Sequence, residues 1–393
     1  MAMGVRSFRQ KARSDERARP GRFVGVDVAP AMEQLEGSLE VPPSSIRSAE
    51  VPVMRVGVLM GGCSSEREVS LRTGEGVAAA LASRGHDVRR IVWGGGEPPL
   101  YELLKRSSID VAFLALHGRG GEDGCVQGML ELMGIPYTGS DVLGSALAMD
   151  KLKAKEMFRL HNVPTPPYYV VGCVDLADLA QVHGSFGFPV VVKPRREGSS
   201  IGVAKAGDIS ELATALQGAL EHDEQALVER HVRGTEIHVG VLNERVLGAI
   251  EVAPRSGELY DYRAKYTAGL TETICPPRVP ATRMRGVLNL GACAARALGC
   301  TGACRVDLLV TDGENEYVLE VNSLPGMTPT SLLPQIAASA GMDYASLCEA
   351  ILAGARLHAG LNQEAPTDDT SRSASAAVAF SDAGALSEFV DAS

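Results

Sequence analysis

The stretch YVLEVNSLPGMTPTSL, Tyr317 to Leu332, begins as a β-strand suited to a protein core but carries polar side chains within it. Val318 and Val321 are typical of a buried strand. Glu320 and Asn322 are two residues apart, so their side chains point to the same face of the strand. Because desolvating a carboxylate and an amide costs free energy, this face needs a ligand that offsets the cost.

The segment CRVDLLV, Cys304 to Val310, predicts the strand that pairs with it through a turn-rich connection. Arg305 and Asp307 are again two residues apart, and their neighbours in this segment are mostly aliphatic. The predicted β-hairpin therefore adds an arginine and a carboxylate to the face that carries Glu320 and Asn322. Aliphatic side chains are expected on the opposite face.

Two carboxylates and an amide oxygen, from Asp307, Glu320 and Asn322, are hard ligands that suit Mg²⁺ or Mn²⁺. Mg²⁺ usually keeps waters and shares its coordination shell with phosphate oxygens. The alternative interpretation is a solvated sheet face. The irregular segment SLPGMT that follows, residues 323–328, favours a ligand, because a Pro-Gly turn brings backbone N–H groups close to a bound group.

Composition limits the possible classes of function. The chain has 393 residues, enough for two or three domains, with 45% hydrophobic and 22% charged residues, as in soluble globular proteins. A net charge of −10 argues against nucleic-acid binding through phosphate neutralisation. No apolar run is long enough to predict a membrane span. The 8 cysteines form no CxxC pair, which predicts reduced thiols in a cytoplasmic protein and no zinc site.

The two ends of the chain differ from its middle. Residues 1–52 begin with an Arg-rich segment that is poor in aliphatic residues, and they predict a mobile basic arm. Residues 359–393 are rich in Ala, Ser, Asp and Thr and predict a disordered tail. The chemistry is therefore expected between these two segments.

The first third of the remaining chain predicts alternating strands and helices. MRVGVLMGG, residues 54–62, is an apolar strand that ends in two glycines, and the helix after it closes at Gly85. DVAFLALHG, residues 110–118, repeats the pattern and ends at His117. This alternation predicts a Rossmann-like parallel sheet, whose ligands bind beyond the carboxyl ends of the strands. Glu66 and His117 are expected there, although Glu66 could instead be a favourable charge at a helix start.

The middle third predicts a phosphate site. GFPVVVKPRREGSSIGV, residues 187–203, reads as a strand that delivers Lys193, a polar loop with glycines, and a return strand. The lysine precedes the loop and the pattern GxxxxGK[ST] is absent, so this is not a P-loop. Ser199, Ser200 and the backbone amides of the loop are expected to fold over a triphosphate. Lys193 and Lys151 would neutralise its charge.

The next segment, ALVERHVRGTEIHVGVL at residues 226–242, suits a nucleoside. It places Glu229 on a strand and Glu236 seven residues later, where carboxylates can accept from an adenine amino group and from ribose hydroxyls. Taken singly, EGSS is a common turn and Lys151 is a common surface lysine. Their combination with the polar hairpin face indicates a nucleotide and metal site.

These motifs resemble, in order and approximate spacing, those of the D-alanine:D-alanine ligases of the ATP-grasp superfamily. The resemblance covers residues 53–357 and rests on the segments GGCSSEREVS, LHGRGGEDG, AMDK, VVKPRREGSSIGV, YDYRAKYT, GCTGACRVDLL and LEVNSLPGMTPTSL. It implies an ATP-grasp fold of three domains with ATP between the second and the third. These are a substrate-binding α/β domain at 53–148, a central subdomain at 149–230 and a C-terminal subdomain with the metal site at 231–358.

The resemblance also implies a reaction. The carboxylate of one D-alanine attacks the γ-phosphate of ATP, and the amine of a second D-alanine then displaces phosphate from the acyl phosphate. Phosphoryl transfer depends on positioning and charge neutralisation, which suits lysines and divalent ions. The implied product, D-alanyl-D-alanine, serves peptidoglycan synthesis. The implied partners are ATP, two D-alanine molecules and a second copy in a homodimer, with no nucleic acid or membrane.

Residue roles follow from the resemblance, position by position. Two Mg²⁺ or Mn²⁺ ions are assigned to Asp307, Glu320 and Asn322. ATP binding is assigned to Lys151, Lys193, Ser200, Glu229, Val232, Glu236 and Lys265. Catalysis is assigned to Glu66, Ser199, Tyr266, Arg305, Gly326 and Ser331. D-Alanine contacts are assigned to Glu66, His117, Arg305, Ser331 and Leu332.

Two departures and two rival functions accompany the resemblance. Arg195 stands where many relatives have a small residue, and Pro329 and Thr330 vary the last loop. The nearer rival is a ligase that joins D-alanine to D-lactate or D-serine, against which Tyr266 argues, because depsipeptide-forming relatives lack this tyrosine. The other rival is a catalytically silent nucleotide-binding protein, which would be expected to lack a metal ligand or Ser199.

Overall fold

The computed structural model describes residues 52–254, 271–313 and 315–359, and the strands in these ranges form three β-sheets. The first sheet contains β1 (Arg55–Gly61), β2 (Asp87–Trp93) and β3 (Val111–Leu114) in the order β2-β1-β3. The second contains β4 (Tyr168–Gly172), β5 (Val190–Pro194), β6 (Ala204–Ala206) and β7 (Gln225–Arg230) in the order β4-β7-β5-β6. The third contains β8 (Thr235–Leu242), β9 (Arg245–Pro254), β10 (Thr271–Ile274), β11 (Ala303–Val310) and β12 (Glu316–Asn322) in the order β10-β9-β8-β11-β12.

Helices connect and cover these sheets. In the part of the chain before the third sheet they are α1 (Arg67–Ser83), α2 (Leu100–Ser107), α3 (Cys125–Met133), α4 (Val142–Met149), α5 (Lys151–Leu160), α6 (Leu179–His183) and α7 (Ile209–Leu220). Later in the chain they are α8 (Ala281–Ala297), α9 (Leu332–Ser339) and α10 (Tyr344–Ala353). No helix among the described residues is both long and apolar enough to cross a lipid bilayer. All 8 cysteines are free thiols.

The first sheet is parallel, as the alternation of strands and helices predicts. β1 pairs in parallel with both β2 and β3, and all of its residues after Arg55 are buried. α1 packs closely on β1, because a Cβ at Gly74 would meet the side chain of Met60. Glu66 directly precedes α1 and His117 follows β3. Both side chains therefore lie beyond the carboxyl ends of the strands, where the sequence places them.

The polar hairpin forms with the predicted strands. β11 pairs antiparallel with β12, so that Arg305 lies opposite Asn322 and Asp307 lies opposite Glu320. The core side chains of the two strands, among them Val306 and Val318, pack into a cluster with β8 and α8. A β-bulge shifts the register after Asp307. The polar face forms as predicted, but the aliphatic side chains are not confined to the opposite face, because Leu309 and Leu319 line the same cavity as Asp307 and Glu320.

The middle segment also folds as predicted, into a strand, a loop and a return strand. β5 ends at Pro194, directly after Lys193, and β6 returns antiparallel to it. Residues 195–203 form the loop between them, which is called the glycine loop below. The second and third sheets are antiparallel throughout their described pairs. The fold is mixed α/β, with one parallel and two antiparallel sheets.

Several sequence predictions lie outside the described residues. They concern the N-terminal arm up to residue 51, the tail from residue 360, and the segment 255–270 that contains Lys265 and Tyr266. The division of the remaining chain into three domains stays a prediction. The described residues all belong to one compact unit, in which each sheet contributes a hydrophobic cluster.

A close backbone contact joins the segment before β11 to the segment that follows the first sheet. Gly302 has a positive φ of 67°, and a Cβ there would lie 2.8 Å from the Cα of Gly139. Beside it, the backbone N–H of Thr301 donates to the hydroxyl of Ser140 at 3.1 Å. A side chain at position 302 would therefore require both an unfavourable φ and displacement of backbone.

We expect Gly302→Ala to lower the free energy of unfolding by more than about 2 kcal/mol, because strain and a backbone clash add. Gly299→Ala is the matched control, since Gly299 has a φ of 70° and open space around its Cβ position. The control should lose only the conformational cost, about 1 kcal/mol. Urea unfolding of both variants provides the measurement, and equal losses would contradict the importance of the contact.

Candidate active site

A cavity of about 1080 Å³ lies between the second and third sheets. Strands of both sheets and the glycine loop line it. Its lining includes the predicted nucleotide and metal residues Lys151, Lys193, Ser200, Glu229, Val232, Glu236, Asp307 and Glu320. This volume suits a nucleotide-sized ligand.

Asp307 is a heavily hydrogen-bonded carboxylate of the polar hairpin. Its Oδ1 accepts from Nε of Arg305 and from Nδ1 of His238, both at 2.7 Å, and its Oδ2 accepts from Nη2 of Arg305 at 2.8 Å. The side-chain amide of Asn322 donates to Oδ2 at 3.1 Å. Burial alone would raise the pKa of Asp307, but Arg305 and His238 hold that pKa well below its usual range. The carboxylate is therefore charged although it is buried.

The predicted metal ligands meet at one end of the cavity. Asp307 and Glu320 lie opposite each other on paired strands, and Asn322 contacts Asp307. No cluster of three or more His, Cys, Asp and Glu side chains within the described ranges is arranged to hold a metal ion. Two carboxylates and one amide leave coordination positions to be filled by water and phosphate oxygens, which is the arrangement that Mg²⁺ prefers. The donor set therefore fits an ion that is bound together with a nucleotide.

Two lysines flank the buried carboxylate of Glu229. Nζ of Lys193 lies 2.9 Å from Oε2, and Nζ of Lys155 lies 3.2 Å from Oε1. Burial opposes the charge on Glu229, but the two lysines lower its pKa below the ordinary value. Burial lowers the pKa of Lys155 to about 8, whereas the carboxylates around Lys193 outweigh its burial and raise its pKa. Glu229 thus fixes Lys193 at the cavity wall.

Lys151 joins the glycine loop to the metal end of the cavity. Its Nζ donates to the backbone carbonyl of Glu197 and lies 3.7 Å from Oε2 of Glu320. Arg195, which departs from the usual pattern, pairs with Asp150 through Nε at 2.8 Å. Asp150 also caps α5 by accepting from the backbone N–H of Lys153. The unusual arginine therefore ties the glycine loop to the start of the helix that carries Lys151.

The predicted amino-acid end lies on the other side of the glycine loop. The hydroxyl of Ser199 donates to Oε1 of Glu66, which brings these two predicted catalytic residues together. Gly198 allows this approach, because a Cβ there would collide with the carboxylate of Glu66. His117 is buried and contacts Oγ1 of Thr73 at 3.2 Å, and burial lowers its pKa. This end therefore combines a carboxylate and a neutral imidazole.

Glu122 belongs to the same end and was not predicted from the sequence. Its Oε2 accepts from the backbone N–H of Gly118 at 2.6 Å. Burial, together with the negative charge of Glu66, raises the pKa of Glu122 to about 8. The only sequence signal was its place in the loop LHGRGGEDG. Its protonated form would leave Glu66 as the main negative charge of this end.

The last loop presents the remaining predicted residues. The hydroxyl of Ser331 accepts from the backbone N–H of Thr328 at 3.1 Å and contacts Oγ1 of Thr328 at 2.7 Å. A Cβ at Gly326 would lie 3.0 Å from the same hydroxyl, so Gly326 and Ser331 are neighbours. Leu332 is buried and begins α9. The roles assigned to these residues remain predictions.

Lys155, His238 and Asp223 are further charged residues that sequence reasoning missed. Each is buried and contacts a partner from a distant segment, as His238 does with Asp307. His238 has a raised pKa, because Asp307 and Glu236 together outweigh its burial. A helix-surface pattern does not distinguish Lys155 from Lys153, so only the fold identifies the buried one. Lys265 and Tyr266, also predicted, lie outside the described residues.

Comparisons with known proteins identify similar chains. Family models described as D-ala D-ala ligase C-terminus and D-ala D-ala ligase N-terminus match residues 157–353 and 98–140. D-alanine–D-alanine ligases of Geobacter sulfurreducens and Geotalea uraniireducens are 52% and 50% identical to this chain, and each match covers 78% of it and 96% and 97% of the relative.

Solved structures show the same likeness. The crystal structure of D-alanine–D-alanine ligase from Bacillus anthracis complexed with ATP is 34% identical, with a TM-score of 0.66, over 77% of this chain and 97% of that one. The VanG D-Ala:D-Ser ligase from Enterococcus faecalis is 28% identical, with a TM-score of 0.67, over 77% of this chain and 99% of that one.

The lowered pKa of Lys155 predicts how stability changes with pH. Between about pH 8 and the ordinary lysine value of 10.5 the unfolded chain binds more protons at this group than the folded chain, so its contribution to stability rises with pH. The stability of wild type relative to Lys155→Met should therefore increase in that window, by up to about 1.4 kcal/mol per pH unit. Urea unfolding from pH 7.5 to 10 measures it.

The exposed neighbour Lys153 provides the control, because Lys153→Met removes a lysine of the same helix that pairs with Glu156 and not with Glu229. The free energy of unfolding of wild type minus that of Lys155→Met should rise with pH. If it stays constant or falls, the environment described for Lys155 is contradicted.

Proposed function

This chain belongs to the D-alanine–D-alanine ligase family, and we propose that it uses ATP to join two D-alanine molecules into D-alanyl-D-alanine for peptidoglycan synthesis. The observation that carries the proposal is the contact between Ser199 and Glu66, because it brings the amino-acid end and the nucleotide cavity to the two sides of one loop. An activated carboxylate formed at the cavity would then lie beside the residues that hold an amino acid.

The nucleotide is held by the residues that line the cavity. Lys151 and Lys193 neutralise its phosphates, and the backbone amides and Ser200 of the glycine loop donate to them. Glu236, Glu229 and the backbone at Val232 hold the nucleoside. Glu229 fixes Lys193 at 2.9 Å, which supports the phosphate-binding role of Lys193, because a preorganised charge loses little entropy on binding.

Asp307, Glu320 and Asn322 would hold the divalent ions, Mg²⁺ or Mn²⁺, which would supply positive charge to the phosphate oxygens. Arg305 and His238 hold Asp307 ionised and oriented for this purpose. Lys151, 3.7 Å from Glu320, places a further cation at the same end of the cavity. The chain thus provides fixed charges that need little rearrangement during phosphoryl transfer.

In the first step, a carboxylate oxygen of the first D-alanine forms a bond to the γ-phosphorus, and the bond from that phosphorus to the bridging oxygen of ADP breaks. Glu66 accepts from the ammonium group of this D-alanine, with His117 beside it. Ser199 orients Glu66 through its hydrogen bond. The glycine loop excludes water that would otherwise hydrolyse the acyl phosphate.

In the second step, the amine of the second D-alanine attacks the carbonyl carbon of the acyl phosphate. Arg305 and the backbone N–H of Gly326 donate to the oxygen that becomes negative in the tetrahedral intermediate. The bond from that carbon to the phosphate oxygen then breaks, and the leaving phosphate takes the one proton that the attacking nitrogen must lose to become the amide. Ser331 and Leu332 hold the carboxylate and side chain of the second D-alanine. By family resemblance, Tyr266 has a catalytic role and Lys265 binds ATP.

Ligation of D-alanine to D-serine is the second candidate, supported by the likeness to VanG, and ligation to D-lactate is a further alternative of the same fold. The higher identity to D-alanine–D-alanine ligases, 52% against 28%, favours D-alanine. A cytoplasmic homodimer that binds neither nucleic acid nor membrane completes the proposal. Light scattering after size exclusion tests the dimer.

The activity test supplies the full-length protein with ATP, Mg²⁺ and D-alanine alone, then with D-alanine paired with D-serine or D-lactate. We expect ADP and D-alanyl-D-alanine in equal amounts, with D-alanine preferred as second substrate. Coupled ADP detection and mass spectrometry of the products measure this. Predominant mixed product would favour the second candidate, and an absence of any dipeptide would refute ligation.

Glu320→Gln removes one proposed ligand while keeping its shape. We expect turnover to fall by roughly 100-fold or more, and binding of Mn²⁺ with ADP, followed by electron paramagnetic resonance, to weaken in parallel. Asp312→Asn, an exposed carboxylate in the turn of the same hairpin, is the control and should change neither. Unaltered Mn²⁺ binding in Glu320→Gln would contradict the metal assignment.

A further inference from the structure

Arg119, in the loop after β3, reaches across to the base of the glycine loop. Its Nε lies 3.3 Å from Oε1 of Glu197, and its Nη2 lies 3.2 Å from Oδ2 of Asp223. The same Nη2 donates to the backbone carbonyl of His222 at 3.1 Å. One guanidinium therefore contacts three groups that belong to the glycine loop or to the segment that supports it.

Asp223 is the buried anchor of these contacts. Only 2% of its side chain is exposed, and its Oδ2 also accepts from the backbone N–H of Arg196 at 2.9 Å. Nε of Arg196 lies 3.4 Å from the same oxygen. Asp223 thus fixes the first part of the glycine loop and presents its remaining charge to Arg119. Charge-assisted contacts to a buried carboxylate are stronger than those between exposed side chains.

The far end of the glycine loop needs such support. Ser199 and Ser200 have positive φ values of 49° and 57°, which cost free energy for residues other than glycine. Such a conformation persists only where surrounding contacts maintain it. The hydrogen bond from Ser199 to Glu66 is one such contact, and it too comes from the segment around the first sheet.

We propose that Arg119 is a positioning residue that holds the glycine loop closed over the nucleotide cavity. Arg119 holds the base of the glycine loop, and Glu66 holds its far end through Ser199. Both residues belong to loops at the carboxyl edge of the first sheet. Binding at the amino-acid end and at the nucleotide end is therefore coupled through one loop. The proposal rests on the proposed function for its nucleotide and assigns Arg119 no contact with substrate.

Arginine is suited to this position by the shape of its head group. A planar guanidinium contacts Glu197, Asp223 and a carbonyl at the same time, whereas the ammonium group of lysine is a compact point charge. Because 47% of the Arg119 side chain is exposed, salt should weaken the contacts. The expected order of loop closure is wild type, then Arg119→Lys, then Arg119→Gln.

The first experiment measures opening of the loop without any substrate. Trypsin cleaves after Arg196, so the rate at which a new N-terminus appears at Glu197, followed by mass spectrometry, reports loop opening in the full-length protein. We expect Arg119→Gln to raise this rate about three- to tenfold. Arg84→Gln is the control, since Arg84 also bridges distant segments, through Asp343 and Glu349, and should leave the rate unchanged.

Glu197→Gln is the second variant, which removes the partner instead of the arginine. Because position 197 follows the cleaved bond, each cleavage rate is divided by the rate for the same variant unfolded in urea. On that scale Glu197→Gln should also raise the rate, and combined with Arg119→Gln it should add less than its separate effect. A cleavage rate in Arg119→Gln equal to that of wild type would overturn the proposal. So would a rise that is matched by Arg84→Gln, because the effect would then be general destabilisation.

The second experiment separates the proposal from the proposed function. In steady state, Arg119→Gln should raise KM for ATP about three- to tenfold with a smaller change in kcat, and added salt should raise the wild-type KM toward that of the variant. A variant whose kcat falls while its KM for ATP stays constant would overturn the positioning role. If wild type forms no dipeptide, the proposed function fails, while the cleavage assay still tests Arg119.

Discussion

Asp307 keeps a negative charge although it is buried, because Arg305, His238 and Asn322 all donate to its two oxygens. A buried carboxylate without these partners would become neutral or destabilise the fold. The hairpin can therefore carry its polar face only because three strands, β8, β11 and β12, bring those partners to one point. The proposed metal site, the contact of Glu236 with His238 and the packing of the third sheet all depend on this arrangement.

The glycine loop connects the two ends of the site. On one side, Lys151 bonds the loop carbonyl of Glu197 and approaches Glu320. On the other side, Ser199 bonds Glu66. Because the loop contacts both ends of the site, a ligand bound at one end can change the geometry of the other. Coupling between two sites requires such a shared element. In the proposed reaction the same loop would separate the reacting atoms from solvent, so its closure would affect both binding and chemistry.

The sequence predicted the parts of the site that are local. Strand alternation predicts the four polar side chains of the hairpin face but not the bulge within it, and the position of Lys193 at a strand end follows from the apolar run before it. It did not predict Lys155, Asp223 or His238, because their roles come from partners that only the tertiary fold brings near them. For Glu229 the sequence predicts the strand, but it does not predict the contacts with Lys155 and Lys193.

The β-bulge in the hairpin decides which side chains of β12 face the cavity. Strict alternation would put Val318 on the face of Glu320, but the bulge leaves Leu319 without a partner in the ladder, so that Val318 enters the core and Leu319 lines the cavity. The site thereby gains an apolar surface next to its ligands. The orientation of the proposed ligands therefore depends on a one-residue register shift between two strands. An insertion or deletion before Glu320 would preserve every ligand in the sequence and still turn some of them toward the core.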